Sequence, residues 1–325
     1  MKEKILALLK SSSDYVSGQD ICNRLGVSRT AVWKNINALK LEGYEIDSVN
    51  NKGYRLISEP DIINEMRIRE YMNTKWMGKN IIYLPVTDST NTQAKRLGEE
   101  GAEHGTLVVT QCQTAGRGRR GRSWESPEGN IYFTFILRPD VEVSRASMIT
   151  LVSALALAKA IEKVTGLNTQ IKWPNDVVAN GKKLCGILTE SSTDLEYINY
   201  VVVGIGINVN QASFPDELTD KASSLLLELG HGVDRGAVLG EFLNRFEAYY
   251  EIFIETEDMS GLIDTYNELL VNCDREVKII EKDRERILKA IGIDENGGLI
   301  VENPEGVRES IISGEVSVRG LYGYV

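Results

Sequence analysis

The spacing of apolar residues follows three patterns along this chain, and each predicts a different kind of structure. Near the N-terminus, Ile5, Leu6, Leu8 and Leu9 fall at helical spacing within residues 2–10. Ser17-Gly18-Gln19-Asp20 has the form of a capping box, opening a second short helix that Gly26 ends just after Leu25. Ser28 caps a third helix over residues 29–42, and Gly43 closes it. Val32, Ile36 and Leu39 form its inward face, which leaves Arg29, Thr30, Trp33, Lys34 and Asn37 on or near the other side. Two short helices across a tight glycine turn, the second opening in Ser28-Arg29-Thr30, are the layout of a helix-turn-helix. Apolar stretches at 44–46 and 53–57, around a turn at 50–53, add a hairpin. The expectation for residues 1–65 is a winged helix, with a small protein-interaction module as the alternative. A linking helix is expected near residues 62–68.

The second pattern mixes strand and helix periods and predicts an α+β domain over residues 66–270. Strands are expected at 81–84, 106–111, 131–137 and 198–206, with helices at 91–97, 148–164, 234–256 and 259–272. Asn180-Gly181 between two β-rich runs predicts a hairpin. The third pattern is a series of short strands at 277–280, 286–293, 298–301, 310–313 and 315–319, with a strong turn at 294–298. It predicts a small β-barrel resembling an SH3 fold over residues 271–325. The fold class is therefore α+β and multidomain.

Composition adds compartment and partner. The chain of 325 residues is 42% hydrophobic and 26% charged, as expected for a soluble globular protein. No apolar run approaches membrane-spanning length, and a cytoplasmic location is expected. Cys22, Cys112, Cys185 and Cys273 are too scattered for a zinc site or disulfide framework, and His104 and His231 offer little for a metal, so none is expected. Net charge is −10, yet residues 1–40 hold seven Lys/Arg against three Asp/Glu, a local balance of +4. A basic head on an acidic body points to a polyanion as the head's partner, and Arg29, Thr30 and Asn37 are candidates to read base edges or phosphates.

Candidate chemistry centres on Gly116-Arg117-Gly118-Arg119-Arg120-Gly121-Arg122, followed by Trp124, between two predicted strands. Glycines allow close backbone approach and arginines bind carboxylate and phosphate oxygens, so this is expected to be a lid over an anionic ligand. Ser89, Thr90 and Asn91 lie where a strand meets a helix and are candidates for a polar ligand head, or simply a helix cap. Lys172, Asn175 and Asp176 in Lys172-Trp173-Pro174-Asn175-Asp176, with Lys183, form a second polar cluster. Gly204-Ile205-Gly206-Ile207-Asn208 lacks the third glycine of a dinucleotide fingerprint and marks a strand approached closely by something else.

Taken together and in order, these motifs resemble the bifunctional biotin–protein ligases and biotin operon repressors of bacteria, over nearly the whole chain. The resemblance implies a central domain like that of class II aminoacyl-tRNA synthetases, with ATP and biotin as substrates and Mg²⁺ accompanying ATP. Biotin would be activated as biotinyl-5′-AMP and passed to a lysine of a biotin carboxyl carrier protein. It implies biotin binding by Ser89, Thr90, Asn91, Gln113, Gly116, Arg117, Gly118, Arg119, Lys183, Gly186 and Gly204. Nucleotide binding falls to Arg119, Arg122, Trp124, Lys172, Asn175, Lys183 and Asn208, with Trp124 stacked on adenine. Lys183, Arg117 and Asp176 are the catalytic candidates, and Ser28, Arg29, Thr30, Trp33, Lys34 and Asn37 would meet operator DNA. A homodimer promoted by the adenylate would place paired heads on the operator. Two competing readings remain: a repressor that senses a small acid without catalysis, and a ligase for lipoate or octanoate.

Overall fold

Serine caps set the helices at the N-terminus. Helix α1 (Lys2–Lys10) precedes α2 (Gly18–Leu25), whose cap Ser17 accepts the Asp20 backbone N–H at 3.0 Å. Gly26 then takes the left-handed turn at φ 67°. Ser28 accepts the Ala31 N–H at 3.2 Å and starts α3 (Arg29–Leu41). Val32, Ile36 and Leu39 are buried, as are Ile5, Leu9 and Ile21. Strands β1 (Glu45–Val49) and β2 (Gly53–Ser58) pair antiparallel, and Val16 bridges to Tyr54 beside them. Gly53 permits this third rung, since a Cβ there would lie 2.1 Å from the Val16 carbonyl oxygen.

The computed structural model describes residues 1–194, 197–281, 284–312, 317–320 and 324–325. It divides into two units, Met1–Ile62 and Ile63–Val325. The second begins with α4 (Glu65–Tyr71), capped by Asn64, and then β3 (Ile81–Thr87), α5 (Thr90–Glu99), β4 (Leu107–Gln113) and β5 (Ile131–Leu137). There follow α6 (Met148–Thr165), β6 (Gln170–Lys172), β7 (Asp176–Ala179), β8 (Lys182–Thr193) and β9 (Ile198–Ile207). Helices α7 (Leu225–Leu229), α8 (Arg235–Thr256) and α9 (Ile263–Leu269) complete the series. The strands form one sheet in the order β3-β4-β5-β9-β8-β7-β6, in which β3 and β4 are parallel and the other pairs antiparallel.

Alternation along β5 explains how the sheet is covered. Phe133, Phe135 and Leu137 enter the main core, where Phe133 meets Phe242 of α8 at 5.1 Å and Phe135 meets Phe246 at 4.6 Å between ring centroids. Ile136 points the other way, into a smaller cluster with Ala94 of α5. The expected Asn180-Gly181 turn joins β7 to β8, with both residues at positive φ. Helix α9 is shorter than the expected 259–272 because the chain leaves it to run beside β6: Leu270 bridges Ile171, and the Val271 N–H donates to the Ile171 carbonyl at 2.9 Å. The short α7, held by a Ser224 cap, was not expected.

Helix α4 is tied to α8. Tyr71 donates its hydroxyl to Asp234, the α8 cap, at 2.7 Å, and Arg67 pairs with the same carboxylate. Just beyond α4, Glu247 accepts the backbone N–H groups of Lys75, Trp76 and Met77 at 2.7, 2.9 and 2.8 Å. Gly240 lets the helices approach, since a Cβ there would lie 2.5 Å from Tyr71 Cβ.

In the tail, β10 (Glu276–Glu281), β11 (Arg284–Ile293), β12 (Leu299–Glu302), β13 (Arg308–Ile311) and β14 (Ser317–Gly320) form an antiparallel sheet in the order β13-β12-β11-β10-β14. Its Val277, Ile279, Leu299 and Val301 belong to the same buried cluster as the α6 and α8 side chains. These four side chains of the C-terminal sheet thus share the core of the second unit. Parts of the strands expected at 310–313 and 315–319 lie outside the described residues. Among those described, no helix is long and apolar enough to cross a membrane.

Candidate active site

The Arg/Gly stretch folds into a tight hairpin. At its base, the Thr114 and Ala115 N–H groups donate to the Thr87 and Asp88 carbonyls at 2.9 and 2.8 Å, docking it on the end of β3. The Trp124 N–H then donates to the Gly116 carbonyl at 2.9 Å and the Gly118 N–H to the Arg122 carbonyl at 2.7 Å, with Arg117 bridging Ser123. The tip is a single 3-10 turn over Arg119–Gly121, where Arg120 and Gly121 take φ of 57° and 72°. A Cβ on Gly116 would lie 2.3 Å from the Trp124 carbonyl oxygen, so this position requires glycine.

Beneath the hairpin, the α5 side of the sheet presents a floor of glycines. Thr134, Gly204 and Leu188 form one rung across β5, β9 and β8, and Tyr132, Gly206 and Gly186 form the next. Residues directly opposite one another share a face, so one side of both rungs is open to whatever lies above. The Trp124 ring rests there: a Cβ on Gly186 or Gly206 would come within 2.9 or 2.6 Å of it. Its indole Nε1 is buried with no hydrogen-bond partner among the described residues. Gly204 lies under the Asn91 side chain, whose Oδ1 would stand 1.7 Å from a Cβ there.

One end of this cavity is neutral and hydrogen-bonding. Ser89, Thr90 and Asn91 are all buried at the start of α5. Ser89 occupies the cap position, yet its hydroxyl makes no capping bond, in contrast to Ser17 and Ser28. Gln113 accepts the Thr90 N–H on Oε1 at 2.9 Å and donates from Nε2 to Ser126 Oγ at 2.8 Å, which joins α5 to the hairpin's descending arm. The Thr134 hydroxyl lies 2.8 Å from Thr90 Oγ1 and 2.7 Å from Asn91 Oδ1.

The other end is cationic. Arg117, Arg119 and Lys183 line the cavity, together with Asn175. Arg119 Nη1 donates to Asn175 Oδ1 at 2.6 Å, carrying the hairpin tip to the turn before β7. Burial pulls the Arg119 guanidinium below its ordinary value, and the nearby Asp176 carboxylate pulls it back. Lys183 Nζ lies 2.6 Å from Asp176 Oδ1 and 5.2 Å from the centre of the Trp124 ring. The second oxygen of Asp176 takes the Tyr324 hydroxyl.

The structure thus brings Ser89, Thr90, Asn91, Gln113, Arg117, Gly118, Arg119, Trp124, Asn175, Lys183, Gly186 and Gly204 around one cavity. Asp176 stands just behind Lys183. Other candidates point elsewhere. Gly116 closes the hairpin, and Arg122 is exposed. Lys172 is buried against the chain end, with Nζ 3.6 Å from the Tyr324 ring centre and bonded to its carbonyl. Asn208 donates its amide to the Ser223 carbonyl at 3.0 Å. Sequence reasoning missed Thr134, Gly206, Ser126, Glu190 and Tyr324. Thr134 was findable as the lone polar residue in an apolar strand, and Gly206 as the second glycine of its motif.

On the N-terminal unit, Ser28 is spent as the α3 cap. Arg29, Thr30, Trp33 and Lys34 are exposed on α3 and Asn37 is half-buried, with Trp33 59% exposed, while Arg29 donates to Gln19 Oε1 at 2.9 Å. This surface is the one expected to meet DNA.

Comparison with known proteins agrees with this arrangement. Residues 83–208 match the biotin/lipoate A/B protein ligase family, residues 2–55 an HTH domain, and residues 273–319 the biotin protein ligase C-terminal domain. By class, the chain is a protein ligase with a helix-turn-helix head. It is 42% identical to the bifunctional ligase/repressor BirA of Bacillus spizizenii, over 95% of each chain. Its identity to BirA of Escherichia coli is 31%, over 97% of this chain and 96% of that one. The chain belongs to the bifunctional biotin ligase/repressor family. Among solved structures, the biotin protein ligase from Aquifex aeolicus in complex with biotin and ATP matches at a TM-score of 0.65 and 36% identity, covering 74% of this chain and 99% of that one.

Proposed function

We propose that this chain activates biotin with ATP and transfers it to a lysine of a biotin carboxyl carrier protein, and that it represses transcription with the activated intermediate as corepressor. The observation that carries the reading is one glycine floor with a neutral hydrogen-bonding end and a cationic end. A buried ureido head must have its N–H and C=O groups satisfied, which Ser89, Thr90, Asn91 and Gln113 are placed to do. The biotin carboxylate must then meet the α-phosphate of ATP, two anions whose repulsion Arg117, Arg119 and Lys183 offset. Carboxylate attack forms biotinyl-5′-AMP and expels pyrophosphate. The neutral amine of the acceptor lysine attacks the acyl carbon, AMP leaves, and the amine gives up a proton as the amide forms. Positioning and charge supply the catalysis, with no covalent enzyme intermediate.

Lys183 is the residue best placed at the transferring phosphoryl group, and Asp176 orients it. Trp124 provides an aromatic face for the nucleotide base and an indole N–H for a ligand oxygen. Among the described residues no three His, Cys, Asp or Glu side chains are grouped to hold a metal ion, and Asp176 holds Lys183 and Tyr324. Magnesium arriving with ATP would be held by phosphate oxygens.

For the head, α3 is the element that would enter the major groove, with Arg29, Thr30, Lys34 and Asn37 at bases and phosphates. One small module binds modestly, so two heads on a two-fold operator call for a homodimer, promoted by an adenylate that orders the hairpin. Carrier protein and operator both place this work in the cytoplasm. The test is incubation with biotin and ATP, scored for pyrophosphate release and for biotin on an added carrier domain. Release with biotin and none with lipoate is the expected result; no release with either would leave a sensing repressor. Sedimentation with operator DNA, with and without biotin and ATP, tests the dimer.

A further inference from the structure

Beyond the residues that line the cavity, one carboxylate governs how the lining is presented. Asn91 lies over Gly204 so closely that a Cβ on that glycine would stand 1.7 Å from Oδ1 and 2.6 Å from Cγ. Either end of the amide would fill this space equally well, but only one offers an acceptor to the cavity. The choice is made from behind. Asn91 Nδ2 donates to Glu190 Oε2 at 3.0 Å and, less directly, to the Leu188 carbonyl at 3.3 Å. An ionised carboxylate accepts and cannot donate, so it requires the NH₂ end to face it. Oδ1 of this cavity-lining residue is thereby turned toward Thr134, whose hydroxyl lies 2.7 Å away.

Glu190 in turn is fixed by Lys95 of α5, whose Nζ lies 3.0 Å from Oε1. Burial alone would raise the Glu190 pKa, but hydrogen bonds from Asn91 and Lys95, and the charges of Lys95 and Arg117, hold it below the usual carboxylate value. It is therefore ionised wherever the protein works. A half-buried ion pair is poor value as a source of stability and better explained by the one conformation it enforces.

We propose that Glu190 is a specificity-determining positioning residue: it locks the Asn91 amide so that Oδ1 faces the cavity as a hydrogen-bond acceptor, selecting a ligand head that donates N–H. The inference rests on the biotin reading, because a ureido ring carries such donors whereas the dithiolane of lipoate has none.

The experiment measures biotin-dependent pyrophosphate release by the full-length chain and its variants Glu190→Ala, Glu190→Gln, Asn91→Ala and the double Asn91→Ala/Glu190→Ala. Losing one neutral hydrogen bond corresponds to a rise in KM for biotin on the order of five- to tenfold in Glu190→Ala. KM for ATP should stay within about twofold, which a general loosening of the fold would not give. Glu190→Gln should recover most of the affinity, since its carbonyl still accepts from Nδ2. In the Asn91→Ala background, adding Glu190→Ala should change nothing further, because its route of action is gone. Unchanged KM for biotin in Glu190→Ala, or fully additive losses in the double variant, would overturn the proposal while leaving the ligase reading intact. A wild-type chain that releases no pyrophosphate with biotin would remove both.

Discussion

Gly204 and Asn91 occupy the space of a single side chain: the distance from an ideal Gly204 Cβ to Asn91 Oδ1 is 1.7 Å. Asn91 has no second place beside Gly204, because Glu190 and the Leu188 carbonyl hold its nitrogen and Thr134 its oxygen where they are. Gly204→Ala should therefore expel Asn91 from the cavity. The expected cost in stability is about 1–3 kcal/mol, the ordinary range for an overpacked site. Biotin binding should fall more steeply than ATP binding, which calorimetric titration with each ligand would measure. Equal losses would mean that Asn91 faces no biotin.

Arg119 crosses from the hairpin tip to Asn175, and little of the core depends on it. Arg119→Met should leave the melting temperature within about 2 °C, since substitutions away from the core rarely exceed about 0.5 kcal/mol. The rate of adenylate formation should fall about 100- to 1,000-fold, as for removal of one preorganised group facing developing charge. Single-turnover pyrophosphate release with saturating biotin and ATP is the measurement.

Trp33 stands 59% exposed on α3, where an indole facing solvent serves no core. Trp33→Ala should leave ligation untouched and weaken operator binding. Gel shifts in a salt series would show whether the loss is uniform across DNA sequences, as for a phosphate-side contact, or confined to the operator.

His104 packs against Trp76 at 4.4 Å and Tyr250 at 5.6 Å, and its Nδ1 accepts the Arg138 N–H at 3.0 Å. Burial keeps its pKa below the ordinary 6.5. The unfolded chain therefore binds this proton more readily than the folded one. Stability from this group is complete above pH 6.5 and declines as pH falls from there toward the lower folded value. His104→Asn, which keeps an acceptor and cannot titrate, should flatten the dependence of the melting temperature on pH in that window.

The winged helix was legible because its determinants are local. Ser17 and Ser28 cap where expected, and Val32, Ile36 and Leu39 are buried as their spacing requires. The strands and the glycine positions were equally plain. What the sequence hid was which side chains share a space, since that depends on register between strands far apart in the chain. Lys172 and Lys183 look alike along the chain, yet Lys172 lies over the Tyr324 ring while Lys183 lies beside Trp124 at the cavity. Asn208 carries a motif's polar residue yet supports the backbone at Ser223. Glu190 offered no signal, because an acidic residue on a strand has no local reason to face an asparagine ninety-nine positions away.

Bonds from α8 reach both α4 and the segment after it. Asp234 takes Arg67 and Tyr71, and Glu247 takes the backbone of residues 75–77. The ligase thus carries its own mooring for whatever precedes it. A head exchanged at residue 62 would leave the α8 bonds to this segment, and the Asn64 cap of α4, in place. A junction three residues later would strip Asn64 from the cap of α4 and start the helix with its first N–H groups unserved. For anyone fusing or exchanging heads, the workable seam lies on the near side of that asparagine.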